Sequence, residues 1–346
     1  MVAKLFFLLS GENPTLPFSE VKSILKAEGF KYIELGRAEQ ILRVEADPRS
    51  VHAIRGRSSM ARVCCLELFN CEANVDIILR EASKTDFNIL GTEETFAVRI
   101  KRVRGSSPHI NGMFLEKKIG EIILQKTSSK VDLRRPHKTF FGVLTGNSFF
   151  FGLKLAEIKP KEFVERSPRK RIFFHPAAMP AKLARCMINL AQPRNGEIIL
   201  DPFCGTGSLL VEAGLIGCRV IGLDVKRRMI EGTLLNLLHY GVEPLGVLVG
   251  DARYLPLVAL KIDCVVTDPP YGISATTLKV DPRKLYESFL FSIVDYVSRG
   301  RRICLAAPDT LHVADIGEAA GLKHVESHFI YVHRRLTREV IVFERV

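Results

Sequence analysis

The sequence contains no C-x-x-C pair, no internal repeat and no low-complexity tract, and no apolar run approaches the ~18 residues a membrane-spanning helix needs. Its eight cysteines (Cys64, Cys65, Cys71, Cys186, Cys204, Cys218, Cys264 and Cys304) mostly sit among apolar residues, as small buried hydrophobes do. These absences exclude a disulfide miniprotein and predict no metal site, no membrane segment and a reducing, cytoplasmic setting. The apolar start Lys4 to Leu9 is short and soon meets Gly11-Glu12-Asn13-Pro14, so it reads as a first strand rather than a signal peptide. Acidic residues are scarce in one place. From Arg99 to Arg171 there are 18 Lys/Arg against 6 Asp/Glu, an excess equal to the whole net charge of +12. Such a basic segment predicts a polyanionic partner.

With 346 residues and 47% hydrophobic content, the chain is long enough for two or three domains with their own cores. Residues 1–60 read as a small α+β module: strand Lys4 to Leu9, helix Ser19 to Glu28, two further strands, and a basic turn at Arg55-Gly56-Arg57. Residues 61–156 read as a second α+β domain, ending in a hairpin whose strands Thr139 to Leu144 and Ser148 to Leu155 meet at Thr145-Gly146-Asn147. Residues 157–172, with Lys159-Pro160-Lys161 and Arg169-Lys170-Arg171, read as a basic linker. From 173 to 346 strands alternate with helices, which predicts an α/β, doubly wound, Rossmann-like parallel sheet. At the end, His328 to Val332 and Glu339 to Phe343 predict an antiparallel hairpin at one sheet edge, with His333 to Arg338 as its connection.

Four segments carry chemistry. Ile198 to Leu200 runs into Asp201-Pro202-Phe203-Cys204-Gly205-Thr206-Gly207, a strand, glycine turn and helix start of the kind that binds ligands at the carboxyl end of a sheet. Gly205 and Gly207 let a ligand approach the backbone, and Asp201 suits an ammonium better than a pyrophosphate. Leu210 stands where the third glycine of a dinucleotide loop would be. The next strand ends at Asp224, placed to accept from two ribose hydroxyls, and the third at Gly250-Asp251-Ala252, placed to meet an adenine amine. Either aspartate alone would serve equally as a helix cap. The fourth strand ends in Asp268-Pro269-Pro270-Tyr271-Gly272. Two prolines fix the backbone, so the Asp268 carboxylate and Pro269 carbonyl can act as converging acceptors for an exocyclic amine while Tyr271 stacks on its ring.

Asp201 to Gly207 and Asp268 to Tyr271 resemble the signatures of the class I, S-adenosylmethionine-dependent methyltransferases that modify exocyclic amines. Lys130-Val131-Asp132-Leu133-Arg134-Arg135-Pro136 resembles the end of a THUMP domain, and Arg171-Ile172-Phe173-Phe174-His175-Pro176 is similar to the entry into the catalytic domain of the THUMP-domain tRNA guanine-N2 methyltransferases. The likeness is greatest to the archaeal branch that acts on the guanine at tRNA position 10. The resemblance implies a ferredoxin-like module and a THUMP domain ahead of the catalytic sheet. It implies that Asp201, Phe203, Gly205 and Gly207 hold the methionine moiety, Asp224 the ribose, Asp251 with Ala252 the adenine, and Asp268 to Tyr271 the guanine. His175 is implied at the cofactor, although packing by Phe173 and Phe174 explains that segment equally well.

The expected partner is tRNA, gripped by Arg99, Lys101, Arg102 and Arg104, by Arg134 and Arg135, and by Arg169, Lys170 and Arg171. Strand alternation would send Arg99 and Lys101 to one face and Arg102 and Arg104 to the other. No protein partner is signalled, and a monomer is the simplest expectation. Other readings keep the chemistry and change the polymer: tRNA position 6 or 67, ribosomal RNA, or a DNA amino-methyltransferase. A non-catalytic RNA-binding subunit would not be expected to keep every one of these residues, and a nicotinamide oxidoreductase needs the missing glycine.

Overall fold

The computed structural model describes residues 2–91, 93–255, 261–271 and 281–346; Gly272, which closes the Asp268 motif, lies outside them. The chain divides into two units. One comprises Met1–Phe18, Gly29–Arg55 and Ala61–Lys159, and the other Ser19–Glu28, Gly56–Met60 and Pro160–Val346.

The elements up to residue 157 are β1 (Ala3–Leu9), α1 (Leu16–Ala27), β2 (Tyr32–Ala38), β3 (Ile41–Ala46), α2 (Ser50–Arg57), β4 (Ala61–Glu72), α3 (Val75–Lys84), β5 (Thr95–Arg102), α4 (Gly112–Lys126), β6 (Lys130–Val131), β7 (Lys138–Thr145) and β8 (Ser148–Glu157). Their strands form one eight-stranded sheet in the order β2-β3-β1-β4-β8-β7-β5-β6. The boundary expected at residue 60 is therefore crossed by hydrogen bonds: β1, buried from Leu5 to Leu9, pairs with β3 on one side and β4 on the other. A strand buried on both faces needs both neighbours. The expected hairpin is β7–β8, turning at Gly146 (φ 54°), a left-handed conformation that glycine adopts without strain. From β5 the chain returns through α4 to the parallel β7, a crossover that needs a helix. Asn74 and Asn111 cap α3 and α4 through their side-chain oxygens. These helices bury Ile78, Leu115, Ile119 and Ile123 against Phe96, Phe140, Phe149 and Phe151.

The elements that follow are α5 (Lys161–Glu165), α6 (Ala181–Leu190), β9 (Ile198–Asp201), α7 (Ser208–Gly214), β10 (Arg219–Asp224), α8 (Arg227–His239), β11 (Gly246–Val249), β12 (Cys264–Thr267), α9 (Pro282–Ile293), β13 (Arg302–Pro308), α10 (Val313–Ala319), β14 (Leu322–His333) and β15 (Leu336–Arg345). The seven-stranded sheet runs β11-β10-β9-β12-β13-β15-β14, parallel through β13 and antiparallel beyond it. This is the doubly wound sheet with a terminal hairpin that the alternation predicts. The strand order reverses between β9 and β12, so the loops leaving their carboxyl ends flank the crevice where such sheets bind ligands.

Two expectations fail here. The hairpin strands are longer than predicted and turn over Arg334-Arg335, because pairing continues through Tyr331–Thr337 and Ile330–Arg338; Leu336 to Arg338 belong to β15. Nor is 157–172 a solvated linker. Glu157 ends β8, Phe163 of α5 is buried, and Arg166 makes a two-pronged bond to the fully buried Glu212 of α7, 2.7 Å from Nε and 3.2 Å from Nη2. Arg185 of α6 holds the same carboxylate at 2.8 Å. A buried anion is tolerated only when paired in this way. The Arg57 of the expected basic turn ends α2 instead, buried, with its Nη1 2.7 Å from Glu28.

Candidate active site

The loop after β9 is shaped by two backbone requirements. Gly205 (φ 52°) and Gly207 (φ 78°) are both left-handed, and a Cβ on Gly207 would come within 2.9 Å of Thr233 Cγ2. Helix α8 braces the loop from behind: Thr233 Oγ1 donates to the Gly205 carbonyl at 2.8 Å, and Asn236 Nδ2 to that of Thr206 at 2.9 Å. At the tip of β10, Asp224 accepts from the amides of Gly205 (Oδ2, 3.1 Å) and Lys226 (Oδ1, 2.8 Å). A carboxylate offers about four lone-pair sites, so acceptor capacity remains.

Asp201 is fully buried at the end of β9. Its Oδ1 accepts from Thr267 Oγ1 at 2.7 Å and from the Phe203 amide at 3.1 Å. Burial outweighs these bonds, aided by the charges of Asp268 and Asp224, and pushes its carboxyl up to about 7. Burial likewise raises Asp224. Asp251 goes the other way: Arg253 chelates it through Nε and Nη2, the latter at 2.6 Å, and holds it below the usual carboxylate range.

Asp268 follows β12. It accepts a short hydrogen bond from the Tyr271 hydroxyl, and burial raises it, with Arg338 and this bond opposing. Arg338 of β15 stands with Nη2 3.7 Å from Asp268 Oδ2 and with Cζ 5.3 Å from the centroid of the Tyr271 ring. Tyr271 is thus not the bare stacking platform its sequence suggests, since a guanidinium lies over the ring and its hydroxyl is engaged.

These groups line a single cavity of about 430 Å³, with Asp201, Phe203, Gly205, Asp224, Asp251, Ala252, Asp268, Pro269, Pro270, Tyr271 and His175 all on its wall. A volume of that order fits a drug-sized ligand. Gly207 is the one predicted residue of the site off the wall, and it acts through the loop's conformation. Phe203 packs edge-on against Phe289 of α9, centroids 5.3 Å apart, and His175 Nδ1 accepts from the Ala177 amide. Four carboxylates line the cavity; Arg253 and Arg338 stand beside Asp251 and Asp268, whereas neither Asp201 nor Asp224 makes an ion pair among the described residues, so the acceptors open to a cationic ligand are those of the glycine-loop end. The sequence motifs did not point to Lys226, Leu336 or Arg338, which also line it. Reading the hairpin turn as two residues would have put Arg338 in a strand, but no local signal directs it to Asp268.

The predicted polyanion contacts separate into two kinds. Lys101, Arg134, Arg135, Arg169 and Lys170 are exposed, Lys170 within 2.9 Å of Glu165. Arg134 and Arg135 are presented by a turn in which Asp132 Oδ1 accepts from both their amides. Arg99, Arg102 and Arg171 hold the fold. Arg102 is bound to the carbonyls of Ser106, Ser107 and Ile110, and Arg99 to those of Val98 and Leu133. Arg104, beyond β5 with φ 42° so that strand alternation does not govern it, belongs with the exposed residues and makes a surface pair with Glu39 at 3.1 Å. Arg171 is buried and donates to Ser208 Oγ at the start of α7. A buried guanidinium cannot meet a phosphate backbone, so Arg171 is corrected to a structural residue.

A family model described as an RMKL-like methyltransferase domain matches residues 168–338, and a THUMP domain model matches 72–153. The tRNA (guanine(10)-N2)-dimethyltransferase of Methanothermobacter thermautotrophicus is 40% identical over 346 residues, covering 99% of this chain and 100% of the relative. The tRNA (guanine(10)-N2)-dimethyltransferase of Methanocaldococcus jannaschii is 32% identical, covering 98% and 99%. In fold, the chain is similar to TrmN from Thermus thermophilus (TM-score 0.56, 21% identity, 99% of this chain and 100% of that one). It is also similar in fold to SMU.472 complexed with SAH (TM-score 0.55, 15% identity, 100% and 98%).

Proposed function

The chain belongs to the tRNA (guanine(10)-N2)-dimethyltransferase family, and on that premise we propose that it transfers methyl groups from S-adenosylmethionine to the N2 amine of guanine 10 in tRNA, first one and then a second. The observation that carries this reading is 40% identity over essentially the whole of both chains. The site supports it. The left-handed glycine loop and the Asp201 and Asp224 carboxylates beside it in the 430 Å³ cavity fit a cationic adenosine cofactor. When bound, that cofactor supplies a methyl group already activated on a sulfonium.

The residues of the chain then have separable tasks. Asp201, Phe203 and the loop shaped by Gly205 and Gly207 hold the methionine end, Asp224 the ribose hydroxyls, Asp251 and Ala252 the adenine, with His175 at the rim. Alignment of the amine with the methyl carbon supplies several kcal/mol of the barrier reduction, roughly the order seen for positioned reactants. Asp268 accepts an N–H of the guanine amine and steadies the positive charge that grows on nitrogen as the N–C bond forms, an effect of about 3 kcal/mol. The bond from sulfur to methyl would break as the N–C bond forms, leaving a neutral thioether, and the nitrogen would then pass its extra proton to the Asp268 carboxylate and on to solvent. The first methyl removes one N–H, and the remaining one keeps Asp268 engaged for the second transfer.

A guanine in a stem must first leave its stack, at a cost of a few kcal/mol. The first unit, with Lys101, Arg134 and Arg135 exposed, grips the tRNA backbone while the second performs the transfer. The enzyme acts as a cytoplasmic monomer, a setting that suits its free cysteines. The test is methyl transfer from labelled cofactor to unmodified tRNA transcripts with guanine or adenine at position 10, alongside Asp268→Ala. Labelling that needs both guanine 10 and Asp268, with digestion yielding singly and then doubly methylated guanosine, is expected. Equal labelling of the two transcripts would move the target elsewhere.

A further inference from the structure

Among the described residues, the one cation beside Asp268, part-buried, comes from a strand that neither motif announces. Arg338 sits in β15, opposite Ile330 of β14 and Pro308 of β13, and shares the cavity wall with Asp268 and Tyr271. Its Nη2 is 3.7 Å from Asp268 Oδ2, beyond hydrogen-bond length, and the guanidinium is steadied by the Tyr271 side chain, over whose ring it lies. A carboxylate and a guanidinium side by side on a cavity wall, too far apart to be closed into a hydrogen-bonded pair, leave an acceptor and a donor for a ligand.

The Asp-Pro-Pro-Tyr loop offers acceptors only. Acceptors alone hold the N2 amine of guanine and the N6 amine of adenine equally well. An ionised carboxylate and an arginine side by side form a different pattern, an acceptor beside a donor. Guanine presents its complement along one edge: the N2 and N1 hydrogens as donors, next to O6 as an acceptor. Adenine places an amine where guanine has O6, and would set donor against donor.

We propose that Arg338 is the specificity-determining residue of this site: its guanidinium donates to guanine O6 while Asp268 accepts from the adjoining N–H edge. The inference rests on the guanine-N2 reading given above and extends it from the loop after β12 to the terminal hairpin. A site built to hydrogen-bond a substrate group rejects analogues lacking it far more strongly than a merely apolar site does, because its own buried donor is then left unpaired.

The test compares wild type, Arg338→Met and Arg338→Lys on tRNA carrying guanine at position 10 and on the same tRNA carrying 2-aminopurine there. That analogue keeps the N2 amine and lacks O6. Its other difference, at N1, is common to every enzyme in the comparison, so the change in ratio isolates Arg338. Wild type is expected to favour guanine in kcat/KM, and Arg338→Met to narrow that ratio about tenfold or more, chiefly through loss on guanine. Arg338→Lys, which keeps a donor but not the planar fork, falls between them. Should wild type leave the 2-aminopurine tRNA unlabelled, a tenfold or greater loss of kcat/KM on guanine by an Arg338→Met variant that still binds S-adenosylhomocysteine normally supports the proposal, and undiminished activity on guanine overturns it. An equal loss on both substrates overturns it as well, since that is what a purely structural role gives. Calorimetric binding of S-adenosylhomocysteine identifies a variant whose cavity has collapsed, and the other variant then carries the comparison. Failure of wild type to label any tRNA would instead sink the functional reading.

Discussion

Thr267, the last residue of β12, donates its hydroxyl to Asp201, the last residue of β9, across 2.7 Å of fully buried interior. This bond ties together the two strands at which the sheet order reverses, and with them the glycine loop and the Asp268 loop. Thr267→Val keeps the shape and removes the donor. It should cost about 1–3 kcal/mol, the range for a hydrogen bond to a charged or buried polar group, read as a fall in the urea midpoint. No change in midpoint would show that the two loops are held apart from this contact.

If Asp201 holds the cofactor's ammonium as proposed, cofactor affinity should depend on pH. Its carboxyl titrates at about 7, against 3.8 when unburied, so the folded protein takes up a proton there. A group raised on folding stabilises fully below its unfolded value and loses that contribution as pH rises through the folded one. For Asp201 the loss runs from about pH 4 through about 7. An ammonium ligand needs the ionised form, so S-adenosylhomocysteine should bind more tightly as pH rises from 6 to 8, with proton release measurable in buffers of different ionisation enthalpy. Asp201→Asn should flatten that dependence; an unchanged slope would assign the pH effect elsewhere.

Gly207→Ala and Gly205→Ala should differ. Both residues are left-handed, but a Cβ at Gly207 meets Thr233 Cγ2 at 2.9 Å, whereas at Gly205 the nearest atom is 3.9 Å away. Left-handed strain costs about 1–2 kcal/mol at either position, and the contact with Thr233 adds to it only at Gly207. Thermal unfolding should therefore rank Gly207→Ala as the more damaging, and cofactor affinity should follow the same order.

Glu20 is a buried anchor of the catalytic unit. Its two oxygens accept from Ser58 Oγ, Ser59 N and Oγ, Met60 N and Asn189 Nδ2, all between 2.6 and 3.0 Å. Glu20→Leu would strand these donors and should destabilise the protein by about 3–5 kcal/mol, in the range found on breaking a buried charged network. Denaturation in urea reads this directly, and a loss below about 1 kcal/mol would mean that water or a shifted serine replaces the carboxylate.

Salt dependence should separate the residues proposed to grip tRNA from the structural ones. Lys101→Ala and Arg134→Ala should each weaken tRNA binding and reduce the slope of log K against log salt by roughly one. Arg102→Ala, which abandons three backbone carbonyls, should lower the melting temperature and leave that slope nearly unchanged.

Much of the site was legible because it is local. Strand, turn and helix follow one another within a dozen or so residues around Asp201, Asp224 and Asp268, and the glycines and prolines that shape those turns are residues whose backbone preferences are visible in the letters themselves. The basic segment was legible as a charge excess, but not residue by residue. Lys101 and Arg102 are neighbours in sequence, yet one is exposed and the other is consumed by the Ser106 to Ile110 turn. Arg171 looked like Arg169 and is buried at α7.

By itself the sequence determined where the α/β alternation begins, which loops lie at strand ends, and that four of them carry carboxylates. Only the tertiary structure decided what faces what. The placement of β15 between β13 and β14 brings Arg338 over Tyr271, and the pairing of β1 with β4 joins the first sixty residues to the next hundred in one sheet. Local pattern records a residue's own backbone preference and burial. Strand order is set by which edges must be satisfied and which apolar faces covered, a condition on the whole chain that no short window contains.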